Sequence, residues 1–141
     1  ATINSTSVKK MSALAKEFHV HIVYGMAEKE EDILYNSQFF IDDTGVLLGT
    51  YRKVHLFDSE KNYFTPGDQF KVFNTKIGRI GLFICYDAFF PEAARSLAIQ
   101  GVDLLVNSTN WEKPYDYDIA KQMKHDYYTM LTERRPDVYI A

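Results

Sequence analysis

Cys85 and Lys53 are the residues of this 141-residue chain whose surroundings best suit them to chemistry. Cys85, the only cysteine, closes a near-continuous apolar run, Arg79-Ile-Gly-Leu-Phe-Ile, just where Tyr86, Asp87 and then Pro91 and Glu92 take over. Such a run reads as a strand buried on both faces, which puts the thiol at a strand end. Pro91 has the fixed φ suited to the first turn of a helix, and Glu92 sets a carboxylate beside the unpaired N–H groups of that turn. Strand, cysteine, short loop and helix together present a nucleophile next to backbone donors, the arrangement acyl-transfer enzymes use to hold an oxyanion. Lys53 ends another strand, and a lysine near a thiol favours the thiolate and can neutralise a developing oxyanion. Each has an inert reading as well. A free cysteine is commonly a buried filler, and a lysine at a strand end is commonly a solvated charge.

The elements that carry these residues follow from spacing. Asn4, Ser5 and Thr6 offer N-caps for a helix in which Val8, Met11, Leu14, Ala15 and Phe18 recur at helical spacing. Val20 to Met26 reads as a strand, and Glu28 to Asp32 as an acidic turn in solvent. Ile33 to Ile41 and Val46 to Lys53 flank Asp42-Asp43-Thr44-Gly45, which predicts a hairpin ending at Tyr51-Arg52-Lys53. Val54 to Asn74 is irregular, with His55, Asp58, Glu60, the Thr65-Pro66-Gly67-Asp68 turn and a short strand from Gln69 to Phe73. After the Cys85 strand, a helix from about Pro91 to Gln100 is stopped by Gly101, with Ala94, Leu97 and Ala98 facing inward. Asp103 to Thr109 is the next strand, and Asn110 to Tyr117 a polar and aromatic loop. Ile119, Met123, Tyr127, Met130 and Leu131 mark an amphipathic helix, and Val138 to Ala141 starts a strand. Alternating strands and helices in the second half, beside a hairpin in the first, predict an α/β fold with a mixed sheet.

Composition narrows the partners. A quarter of the residues are charged and the net charge is −3, with no basic stripe of the kind nucleic-acid or membrane-surface binding needs. Residues 1–141 are long enough for one domain and short for two. A lone cysteine excludes an internal disulfide framework, and without CxxC or Cys/His ligand spacing the chain points to a reducing compartment and no structural zinc. The opening residues do not read as a charged leader with an apolar core, and no apolar run approaches the ~18 residues of a membrane span. A soluble, cytoplasmic protein without a cofactor is expected.

Two long stretches now carry a resemblance. Tyr51-Arg-Lys-Val-His-Leu-Phe57, followed by Gly81-Leu-Phe-Ile-Cys-Tyr-Asp-Ala-Phe-Phe-Pro-Glu92 and then Ala94-Arg95, resembles the paired signature of the nitrilase superfamily, the carbon-nitrogen hydrolases. Tyr35-Asn36-Ser37, the Thr65 to Asp68 turn and Gly101-Val-Asp-Leu-Leu-Val106 extend the likeness over most of the chain. The fold this implies is an α-β-β-α sandwich, commonly doubled across a dimer interface. The family's catalytic set is a Glu, a Lys and a Cys, with a second Glu in many members. Lys53 matches the lysine, Cys85 the nucleophile and Glu60 the second glutamate, while the backbone N–H of Tyr86 falls where an oxyanion donor is expected. The first glutamate falls upstream of the region that Val8 to Phe18 resembles, and the family continues beyond the strand at Val138 to Ala141. Thr132-Glu-Arg-Arg-Pro-Asp137 departs from the family's usual Arg-Ala-x-Glu-Asn run. Residues 1–141 are therefore expected to correspond to a partial carbon-nitrogen hydrolase domain, incomplete at both ends and poorly active by itself.

The resemblance implies hydrolysis of a non-peptide carbon-nitrogen bond, in a small amide or N-carbamoyl compound, through a thioester on Cys85. Tyr86-Asp87 is more similar to the amidase and N-carbamoyl hydrolase branches than to true nitrilases, which tend to have Trp-Glu there. A homodimer or higher homo-oligomer is implied, formed through helices and the second half. Trp111, Tyr115 and Tyr117 suit either that interface or a lid over the pocket. Two other classes compete. A papain-like thiol hydrolase needs a histidine base, and His55 and His125 lie in no matching local pattern. The other is a non-catalytic module that keeps the scaffold.

Overall fold

The computed structural model describes residues 2–110 and, as backbone, residues 139–140. The chain forms two compact units, Ala1–Gln69 and Phe70–Ala141. Both combine helix and sheet, as expected of an α/β protein.

In the first unit, helix α1 (Thr6–Phe18) begins at Ser5, whose hydroxyl accepts the Val8 N–H. It ends at His19, which takes a left-handed conformation and returns its own N–H to Ala15. Val8 and Ala15 are its buried residues. The sheet is wholly antiparallel, in the order β1 (Ile22–Glu30), β2 (Ile33–Ile41), β3 (Leu47–Arg52). Period-two alternation sends Met26, Ser37 and Arg52, which are cross-strand partners, to one face and Asn36 to the other. The Ser7 hydroxyl donates to the sulfur of Met26, which places α1 on the first of those faces. The buried apolar residues of the unit include Phe39, Phe40, Ile41, Tyr51 and Leu56.

The acidic turn expected at Glu28 to Asp32 is a correction. β1 runs on to Glu30, and Glu28 is 3% exposed. Its carboxylate accepts from Ser37 Oγ at 2.7 Å and from Arg52 Nε and Nη2 at 2.9 and 2.8 Å. Arg52 also reaches Glu30 at 3.1 Å and lies 3.8 Å over the ring of Tyr35. Hydrogen bonds donated to Glu28 hold the guanidinium above its ordinary pKa despite burial. Only Glu31 and Asp32 turn the chain.

In the second unit, the sheet is mixed, as expected. β4 (Val72–Thr75) pairs antiparallel with β5 (Gly78–Ile84), which runs parallel to β6 (Leu104–Ser108), itself parallel to β7 (Tyr139–Ile140). β4 therefore lies later than the strand expected at Gln69 to Phe73, and residues 64–71 take no regular structure. Helix α2 (Pro91–Ile99) buries Ala93, Ala94 and Leu97. Ala93 takes the inward place expected of Ala98, which is only half-buried. Gly101 follows the helix at φ 81°, a conformation glycine adopts without strain. The helix packs on β5 at Gly81, where an added Cβ would meet Leu105, Val102 and Leu97 at 2.9, 3.0 and 3.2 Å. The loop from Trp111 to Tyr117 and the helix marked by Ile119 to Leu131 lie outside the described residues.

Candidate active site

The first unit brings Lys53 and Glu60 together. Lys53 follows β3 directly and is tied in place through its backbone. Its N–H donates to Asn36 O and its carbonyl accepts from Gly67 N–H, both at 2.8 Å. Gly67 is needed for that second bond, because a Cβ there would come within 2.2 Å of Arg52 O. The Thr65 to Asp68 turn is thus clamped against the strand end. The lysine side chain is only 2% exposed, so the solvated-charge reading fails.

A buried ammonium needs a partner, and a 3-10 turn inside the expected loop supplies one. Asp58–Asn62 forms that turn, and Glu60 Oε2 lies 2.7 Å from Lys53 Nζ and 2.7 Å from Phe57 N–H. Asn36 Nδ2 donates to the other oxygen at 2.8 Å. Burial pushes the Glu60 carboxyl up, but the Lys53 hydrogen bond and charge, the Phe57 N–H and Asn36 outweigh it and leave it below the ordinary carboxylate value. Glu60 is therefore an ionised, three-way anchored carboxylate rather than a loop acid in solvent. Asn36 was not singled out by sequence as part of this group. Its β2 position opposite the end of β3 is the signal that would have found it.

In the second unit, Cys85 stands where sequence placed it, at the end of β5, and is half-buried. The expected short loop after it is a 3-10 turn, Cys85–Phe89, leading into Pro91 at the start of α2. Cys85 has φ 44°, a left-handed conformation that is uncommon for a residue with a Cβ. Strained backbone at a nucleophile on a strand-to-helix turn is a recurrent device for exposing the reactive atom. Two side chains hold the turn. Asp87, fully buried, accepts Ile84 N–H at 2.9 Å, and Asn107 Oδ1 on β6 accepts Cys85 N–H at 2.8 Å. Tyr86 lies at the opening of that turn, and its ring packs edge-on to Phe90 at 5.2 Å. Neither Asn107 nor Asp87 was legible as a support for the thiol.

The first unit thus holds a buried lysine paired with a glutamate after a strand end, and the second a thiol on a strand-to-helix turn. The carbon-nitrogen hydrolase family model matches residues 1–130, and the chain belongs to that family. It is 50% identical over 123 residues to a probable nitrilase of Schizosaccharomyces pombe, covering 84% of this chain and 45% of that protein. Against an N-carbamoylputrescine amidase of Arabidopsis thaliana it is 45% identical over 111 residues, covering 75% of this chain and 37% of the relative. The fold is similar to a crystal structure of a carbon-nitrogen hydrolase from Helicobacter pylori G27, with a TM-score of 0.74, 32% identity, and 90% of this chain and 46% of that one covered. The chain spans less than half the length of the curated relatives it matches.

Proposed function

We propose that this protein hydrolyses a non-peptide carbon-nitrogen bond in a small amide or N-carbamoyl compound, with Cys85 as nucleophile. The observation that carries the reading is Cys85 at φ 44° on its strand-to-helix turn, in a chain that belongs to the carbon-nitrogen hydrolases. The likeness to an N-carbamoylputrescine amidase supports the amide and carbamoyl substrate class.

The chemistry follows from the groups. A carboxylate base takes the thiol proton, sulfur bonds to the carbonyl carbon, and the carbonyl oxygen becomes an oxyanion. The Lys53 ammonium and the Tyr86 N–H are the donors for that charge. Collapse breaks the C–N bond, and the departing amine takes the proton from the base. Water then gives a proton to the same base and attacks the thioester, and the C–S bond breaks to release acid and restore the thiol. Glu60 holds the Lys53 side chain in place. Family resemblance puts the base ahead of the region of Val8 to Phe18, so these residues account for nucleophile, lysine and second glutamate. Assembly as a homo-oligomer belongs to the same proposal.

Ammonia release from a panel of small carboxamides and N-carbamoyl amines, for the full-length protein as parent and for its Cys85→Ala variant, tests the reading. Release by the parent that disappears in a folded Cys85→Ala supports it. Equal release by both proteins rejects it.

A further inference from the structure

Cys85 holds a left-handed conformation that a residue with a Cβ seldom adopts, so something must hold it there. β5 and β6 run parallel with Phe83 opposite Asn107 and Ile84 opposite Ser108, and β5 ends at Ile84. The next N–H, that of Cys85, has left the ladder of regular strand bonds. Asn107 Oδ1 receives it at 2.8 Å. The type of acceptor matters. An apolar residue at 107 would remove the bond, which is expensive for a partly buried N–H. A carboxylate would keep the bond but oppose a thiolate next to it. A neutral amide oxygen does neither.

We infer that Asn107 is a positioning residue for Cys85: by accepting the Cys85 N–H it holds the nucleophile at positive φ at the head of the 3-10 turn. The inference rests on the reading of Cys85 as nucleophile.

The test combines hydrogen exchange of the Ile84 to Tyr86 amides with the rate of Cys85 alkylation by iodoacetamide as pH is varied, for the parent, Asn107→Ala and Asn107→Asp. In Asn107→Ala, exchange should quicken at this turn alone, and alkylation should slow by about ten-fold, since the thiol is no longer held in one position. In Asn107→Asp, the Cys85 amide should regain protection, because a carboxylate oxygen can accept the same N–H. A purely structural asparagine would lower the melting temperature without moving either readout. Parent-like exchange and alkylation in a folded Asn107→Ala overturns the inference alone. If Asn107→Ala does not fold, an unprotected Cys85 amide in Asn107→Asp overturns it. A parent thiol no more reactive than free cysteine rejects the nucleophile reading, and the positioning role falls with it.

Discussion

Lys53 Nζ lies 2.7 Å from Glu60 Oε2, and the lysine is almost wholly withdrawn from solvent. The pair has a pH signature through Glu60. Glu60 titrates below the ordinary carboxylate range when folded, so its stabilisation is fully present above the unfolded-state value and is lost as pH falls through the folded one. The melting temperature of the parent should exceed that of Glu60→Gln near neutral pH, and the gap should close on acidification. A gap that does not change with pH would contradict the assignment.

Lys53→Gln should lower the rate of amide hydrolysis by ~10² to 10³, the usual effect of losing one oxyanion donor. The substitution also leaves Glu60 without its cation. The melting temperature should therefore fall as well, and Lys53→Gln with Glu60→Gln together should recover part of that loss. Steady-state kinetics beside thermal melts of the three variants provide the check.

Arg52 and a buried Glu28 form another ion pair, on the α1 side of the same sheet. Removing one partner strands the other, so Arg52→Leu should destabilise by about 3–5 kcal/mol. Adding Glu28→Leu should restore a good part. A double-mutant cycle in urea showing simple additivity would mean the two residues are not coupled.

Gly67→Ala should pull the Thr65 to Asp68 turn from the strand end, because the new Cβ meets the Arg52 carbonyl at 2.2 Å. A loss of about 1–3 kcal/mol is expected, with faster exchange of the Gly67 amide that now bonds to Lys53 O. An unchanged exchange rate would show that the turn accommodates the methyl group.

Local pattern carried most of the fold. The period of Val8 to Phe18, the two β-forming runs around Asp42 to Gly45, and the apolar run before Cys85 each specify one element from neighbours in sequence. The strand ends and buried charges were less legible, for one physical reason. Glu28 looks like part of an acidic turn because its run is acidic, and it is buried because Arg52, 24 residues away, meets it across the sheet. Asn36 and Glu60 are likewise 24 residues apart, and Cys85 and Asn107 are 22 apart. Such side-chain bonds depend on strand register, which composition and periodicity do not supply. The positive φ of Cys85 was hidden too, since glycine is the residue that announces that conformation and none stands there.

The most direct test of Cys85 as nucleophile is trapping the acyl-enzyme. Mixed with a p-nitrophenyl ester, the chain should release p-nitrophenol in a burst and gain the mass of the acyl group on the peptide that contains Cys85, with neither signal in Cys85→Ala. An acyl group found on another residue, or a burst that persists in Cys85→Ala, would contradict the assignment of Cys85 as the nucleophile.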